Sequence, residues 1–190
     1  MVRVSRDKAA ENRAKLVAGA DRLLREKGYE GLSVAAAAQS VGLTEGAVFR
    51  NFPTKAALAA AAVEEGFAPI LAMLGTLDGE AGLRVYASNC LGTDHRDHFA
   101  WGCPVGALAA EMHRHPDEVK AAFVRGQTRL LDELTRLAGS RMRASSVLAT
   151  LAGAIGIARA LSAAGDRAAS DAFLEDIRRD LTAVWDRTSN

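Results

Sequence analysis

Apolar residues recur along this chain with the spacing of helices from one end to the other. Leu16, Val17, Ala20, Leu23 and Leu24 fall on one stripe of a first helix predicted from near Ser5 or Arg6 to Lys27. Gly28 follows as a stop, with Tyr29 and Leu32 covering the end of the stripe. Ser33 is placed as the cap of a second helix, in which Val34, Ala37, Ala38 and Val41 stand at i, i+3, i+4 and i+7. Gly42 ends that helix, and Thr44 is positioned to cap a third only two residues later. "FPTK" closes the third helix, and Thr54 caps a fourth that begins at Lys55. Helix, short glycine turn, helix is the sequence form of a helix-turn-helix.

The remainder is also helical. "ALAAAAVEEGFAPILAML" joins the first unit to the body, and "GLRVYASNCLG" and "GCPVGALAAEMHRH" read as shorter apolar helices. A long amphipathic helix begins at Pro116, with Val119, Phe123, Leu130, Leu134 and Leu137 inward. "RASSVLATLAGAIGIARALSAAG" is apolar on nearly every side. The last helix takes Ser170 as its cap and carries Phe173, Leu174, Ile177, Leu181, Val184 and Trp185 on one face. With no strand signal, the pattern predicts an all-α fold of about nine helices. Residues 1–54 form a three-helix unit, and residues 55–190 a helical body.

Composition agrees with that picture: 49% of the residues are apolar but only 5% aromatic, a balance that favours helices packed through small side chains. Of the four prolines, Pro53, Pro104 and Pro116 sit where a helix begins or breaks. The net charge of +1 names no partner, but its distribution does more. Residues 1–55 hold ten Lys/Arg against six Asp/Glu, and residues 56–190 fourteen against seventeen, so the basic end coincides with the helix-turn-helix. Two cysteines are too few for a disulfide scaffold, the N-terminus lacks an apolar leader, and no uninterrupted apolar run reaches membrane-spanning length. These features place the protein in the cytoplasm, away from membranes.

In a helix-turn-helix the second helix enters the major groove and its N-terminal residues approach the base edges. Here that helix is "TEGAVFRNF". Gly46 lets backbone approach DNA closely, Ala47 suits a thymine methyl, and Glu45 is able to accept from cytosine N4. Thr44 and the helix N-terminus favour a phosphate, as does Lys55 at the start of the next helix, and an amide at Asn51 serves either phosphate or base. Arg50 fits a phosphate or open solvent. Val48 and Phe52 are predicted to hold the three-helix unit together, and Phe49 fits either role.

"GLSVAAAAQSVGLTEGAVFRNFPTKAALAAA" resembles the DNA-binding domain of TetR-family regulators over about 45 residues. Ser33, Gly42, Gly46, Phe49, Phe52, Pro53 and Lys55 stand at the positions of the family pattern. The resemblance implies a dimeric repressor released from a palindromic operator by a small, largely apolar effector. It counts Ser33, Thr44, Glu45, Gly46, Ala47, Phe49, Arg50, Asn51 and Lys55 as facing double-stranded DNA. It also implies a homodimer through helices at about 144–164 and 170–187, where Gly153 and Gly156 permit close approach. The chain departs from the pattern at Phe49, where a tyrosine hydroxyl often meets phosphate, at Asn51, often histidine or tyrosine, and at Glu45, commonly basic.

The middle helices then frame an effector pocket, for which Phe67, Tyr86, Phe99, Trp101, Cys103, Leu108, Glu111, Met112, Phe123 and Gln127 are the candidates. Cys103, with His95 or His98 nearby in sequence, raises the alternatives of a thiol sensor or a small Cys-dependent enzyme. That enzyme would lack any oxyanion-hole motif or cofactor fingerprint. A ligand-binding protein without DNA affinity is a third possibility. The four histidines lie on two segments without cysteine pairs at zinc spacing, so neither metal nor cofactor is expected.

Overall fold

The computed structural model describes residues 6–188, apart from the side chains of Trp101 and Thr188. Among these residues ten α-helices occur and no strand: α1 (Arg6–Gly31), α2 (Val34–Ser40), α3 (Glu45–Asn51), α4 (Lys55–Leu74), α5 (Gly79–Cys90), α6 (Thr93–Asp97), α7 (Pro104–Leu108), α8 (Asp117–Ala138), α9 (Arg141–Ala163) and α10 (Arg167–Thr188). The signals read from the sequence explain most of the boundaries. Gly28 breaks the first helix with φ 69° and ψ −177°, leaving one more turn to Gly31. The Ser33 and Thr54 hydroxyl oxygens accept the backbone N–H of Ala36 and Ala57.

Two boundaries differ from expectation. The count rises above nine because α6 forms where the pattern placed no helix, and the helix expected over residues 102–115 is itself interrupted. Pro104 pushes Cys103 into extended backbone, Pro116 does the same to His115, and between them lie α7 and a 3-10 turn, Met112–Arg114. A further 3-10 turn, Phe99–Trp101, precedes them. Ser170 is not a cap: α10 starts three residues earlier, where the Asp166 carboxylate accepts the Ala169 N–H. Ser170 is fully buried, and its hydroxyl donates to Ala158 O while accepting from Arg96.

α4 is the spine of the molecule, with α1 on one side and α8 on the other. Phe67 of α4 meets Phe123 edge-on at 5.9 Å and packs closely against Gly126 of α8. Beyond α8 come α9 and then α10. α4 and α9 are each long and apolar enough to cross a membrane. In α4 that character belongs to the core, since Leu58, Ala59, Ala62, Val63, Phe67 and Leu74 are buried between helices. α9 is apolar for two reasons. Its inner face packs on α8 and α10, and its outer face is a stripe of small residues open to solvent.

Candidate nucleic-acid interface and effector cavity

α2 and α3 are joined through Val41–Leu43, with Gly42 at φ 68° and the Leu43 N–H donating to Ala38 O. Val48 and Phe52 are buried against α1 and α2, and Arg13 of α1 lies over the Phe52 ring at 4.7 Å. With helical spacing, residues 47, 48, 51 and 52 share the inner face of α3, and 45, 46, 49 and 50 the outer. Thr44, Glu45, Gly46, Phe49 and Arg50 are accordingly exposed.

This geometry corrects part of the sequence reading. Ala47 is 5% exposed, so its methyl faces the core and not a base edge. Asn51 is half-buried, and its amide donates to Ala47 O at 2.7 Å, which turns one of its two N–H groups back onto the helix. The Ser33 oxygen is engaged by its cap. Thr44 makes no cap bond, which leaves its hydroxyl at the exposed front of α3. Lys55 is positioned by an aromatic: its Nζ sits 4.1 Å over the Tyr29 ring, which also contacts His115 at 4.8 Å. Gly46 is not required by packing, because a Cβ there would meet nothing nearer than Thr44 Oγ1 at 3.9 Å.

In the body, Ile70 and Met73 of α4, Tyr86, Asn89 and Cys90 of α5, Asp94 and His95 of α6, and Cys103 enclose a mainly apolar cavity of about 250 Å³. Only Tyr86 and Cys103 among the ten candidates line it. Phe67, Leu108, Met112 and Phe123 are core residues. Phe99 stacks on Arg159 instead, and Gln127 is half-buried on α8 away from the cavity. The Trp101 side chain lies outside the described residues. Glu111 is a joint, not a pocket wall: its carboxylate accepts the Tyr29 N–H at 3.4 Å, directly behind the Gly28 break. His115 Nε2 lies 3.3 Å from Glu111 Oε1 but off the hydrogen-bond line, and is a buried nitrogen without a hydrogen-bond partner among the described residues.

His95 organises the cavity wall. The Cys103 N–H donates to its Nε2 at 3.1 Å, so the ring proton sits on Nδ1, which donates to Cys90 O at 2.6 Å. Burial first, then the charges of Arg159 and Arg25, hold this imidazole below its ordinary pKa. Tyr86, also buried, lines the same wall as both thiols. Burial pushes Cys103 up and Cys90 up to about 12, so neither sulfur is the activated thiolate that a sensor or a nucleophile requires. His98 is engaged elsewhere, with Asp94 O at 3.0 Å. Among the described residues no His, Cys, Asp and Glu cluster is arranged to hold a metal.

A buried arginine ties this wall to the N-terminal unit. Arg25 of α1 pairs with Asp21, donates to Gly66 O of α4 at 3.3 Å, and donates to Gly102 O beside Cys103. Hydrophobic periodicity carries no trace of this network, which links residues 77 positions apart. Tyr86 and Cys103 are the sequence candidates that reach this wall, whereas His95 and Cys90, which complete it, are not among them.

A short outward-facing second helix on an all-α body defines a helix-turn-helix protein with a separate helical domain. Residues 16–62 match the family described as bacterial regulatory proteins, tetR family. The HTH-type transcriptional regulator CymR of Pseudomonas putida is 40% identical over 62 residues. That match covers 33% of this chain but only 30% of the curated relative. A TetR transcriptional regulator from Legionella pneumophila superimposes with a TM-score of 0.74 at 18% identity, covering 97% of this chain and 99% of that one. A TetR-family regulator from Agrobacterium tumefaciens gives 0.72 at 23%, covering 90% and 98%. The fold of the body is therefore shared where its sequence is not.

Proposed function

We propose that the protein is a dimeric DNA-binding transcriptional repressor whose affinity for a palindromic operator falls when a small, largely apolar effector enters the α4–α5–α6 cavity. The observation that carries this reading is the outer face of α3, where Thr44, Glu45, Gly46, Phe49 and Arg50 are all exposed while Val48 and Phe52 lock the helix to its domain. Gly46 offers bare backbone to the groove, Glu45 and Arg50 reach base edges or phosphates, and Lys55 neutralises a phosphate from its seat on Tyr29. Residues 1–54 act as the DNA-binding unit and residues 55–190 as the effector and dimer unit.

A second copy covers the outer stripe of α9 and the neighbouring face of α10. Met142, Ala149, Gly153, Gly156, Ile157 and Ala160 are exposed at helical spacing, and a Cβ at Gly153 or Gly156 would meet nothing within 4 Å. Coupling runs through the Arg25 network. An effector that displaces His95 or Cys103 moves Gly102, and with it the arginine that fixes α1 against α4. Gel retardation of the protein's own upstream DNA tests the reading, with unrelated competitor DNA present. A retarded band that weakens steeply with added salt is expected. No retardation at low salt overturns it.

A further inference from the structure

Arg159 of α9 is 8% exposed, yet no carboxylate pairs with it. Its Nε donates to Arg96 O at 3.2 Å and its Nη2 to His95 O at 2.9 Å, both main-chain carbonyls. The Phe99 ring covers one face at 4.4 Å. The remaining N–H groups, both of those on Nη1 among them, have no partner among the described residues. Nη1 is not sealed off either, since among the described residues the buried side-chain atom lacking a partner is His115 Nε2. A largely buried guanidinium without a carboxylate beside it is costly, and its open N–H groups are free to take an anion.

The space beside it is a cavity of about 270 Å³ lined by Arg96, Asp97, Phe99, Arg159, Ser162 and Arg167, with Ala163 at its edge. The charges there do not balance. Arg96 is matched by Asp97 and Asp171, and Arg167 shares Asp97 at 2.6 Å. Three cations against two carboxylates leave one positive charge, and Arg159 is the residue that carries it. The cavity lies on the side of α9 turned towards α6, distinct from the apolar cavity and from the outer stripe of that helix.

We infer that this cavity is a second ligand site, built for a small monoanionic carboxylic acid whose carboxylate accepts from Arg159 and whose apolar part rests on Phe99. A planar guanidinium presents paired N–H groups of the geometry a carboxylate accepts. A single excess charge matches a monoanion, whereas a dianion such as phosphate would be opposed by Asp97. The site also has a mechanical consequence. Arg159 and Arg25 both approach Gly102, and the charge of Arg25 disfavours that of Arg159. A carboxylate on Arg159 relieves that repulsion and tightens the loop that Arg25 ties to α1. This last consequence rests on the regulatory reading above, but occupancy of the site does not.

The test is calorimetric titration of the full-length protein with hexanoate at constant ionic strength, beside inorganic phosphate and the neutral hexanamide. Saturable hexanoate binding by about 10 mM is expected, with both controls at least roughly tenfold weaker. Arg159→Gln should weaken hexanoate at least roughly tenfold, and Arg167→Gln, at a mostly exposed position that keeps the fold, roughly two- to fivefold. No saturable heat with hexanoate overturns the inference, as does phosphate binding as tightly as hexanoate. Equal hexanoate affinity in a cooperatively melting Arg159→Gln variant overturns it too. Should Arg159→Gln fail to fold, unchanged affinity in Arg167→Gln decides against it. None of these readouts involves DNA, so operator binding stands or falls separately.

Discussion

Phe49 is 55% exposed on a helix only seven residues long, an arrangement that nothing in the three-helix core explains. A ring there meets the DNA backbone in the proposed complex but offers a phosphate no donor. Phe49→Tyr supplies one without touching the core. Its operator affinity should rise roughly three- to tenfold, the range of one added hydrogen bond, with an unchanged melting temperature. A fluorescence-anisotropy titration that shows weaker binding would remove Phe49 from the interface. His95 makes a second residue-level prediction. Its folded pKa lies below that of the unfolded chain, so as pH falls through about 6.5 the unfolded state takes up a proton that the folded state refuses. Stability from this group is therefore present above that pH and lost below it, by at most about 1.4 kcal/mol per pH unit. Asp97, held at about 2 chiefly by Arg96, changes stability only in a more acid range. Urea melts at pH 7.5 and 5.5 should show the loss, and His95→Gln should flatten it. An equal slope in the variant would assign the effect elsewhere.

At the level of the helix, two glycines separate packing from function. Gly126 of α8 packs closely against the Phe67 ring, and an added methyl would strike ring carbons of a fully buried side chain. Gly126→Ala should cost about 1–3 kcal/mol by overpacking. Gly46 of α3 faces open space, so Gly46→Ala should gain about 0.5–1 kcal/mol of stability while weakening DNA binding. Chemical denaturation and gel retardation on the same samples check both, and a Gly46→Ala variant that binds DNA normally would refute close backbone approach. Helix-level structure was also the most legible part of the sequence. Caps at Ser33 and Thr54, the Gly28 break and the stripes of α1 and α8 act through neighbours a few residues away, and all appear where the pattern put them. The site was less legible, because apolar character says that a residue is buried without saying against what. Phe67, Phe123 and Met112 are as apolar as any pocket wall, yet they are core. The cavity depends instead on His95 bridging Cys90 and Cys103, contacts that no local pattern records, beside the break that Pro104 did signal.

For the whole molecule, the outer stripe of α9 carries the heaviest demand. A single α3 contacts too few bases for selective binding, and two of them across a two-fold axis double the contact at a fixed spacing of about one helical turn of DNA. The stripe suits that role because glycine and alanine let helix backbones approach closely, while Ile157, 50% exposed, and Met142, 80% exposed, supply the apolar area that a solvent-facing helix would not otherwise keep. A glutamate at position 157 would place an unpaired charge between the two copies without touching the protomer core. Ile157→Glu should therefore sediment as a folded monomer with the helical circular dichroism of the parent protein. Its operator affinity should fall at least roughly a hundredfold, because the second half-site contact would no longer be intramolecular. A variant that remains dimeric in sedimentation would move the interface off α9. One that becomes monomeric yet binds the operator as tightly as before would mean that one α3 suffices, and the coupling assigned to Arg25 would then have to act within a single protomer, on the seat of α3 itself.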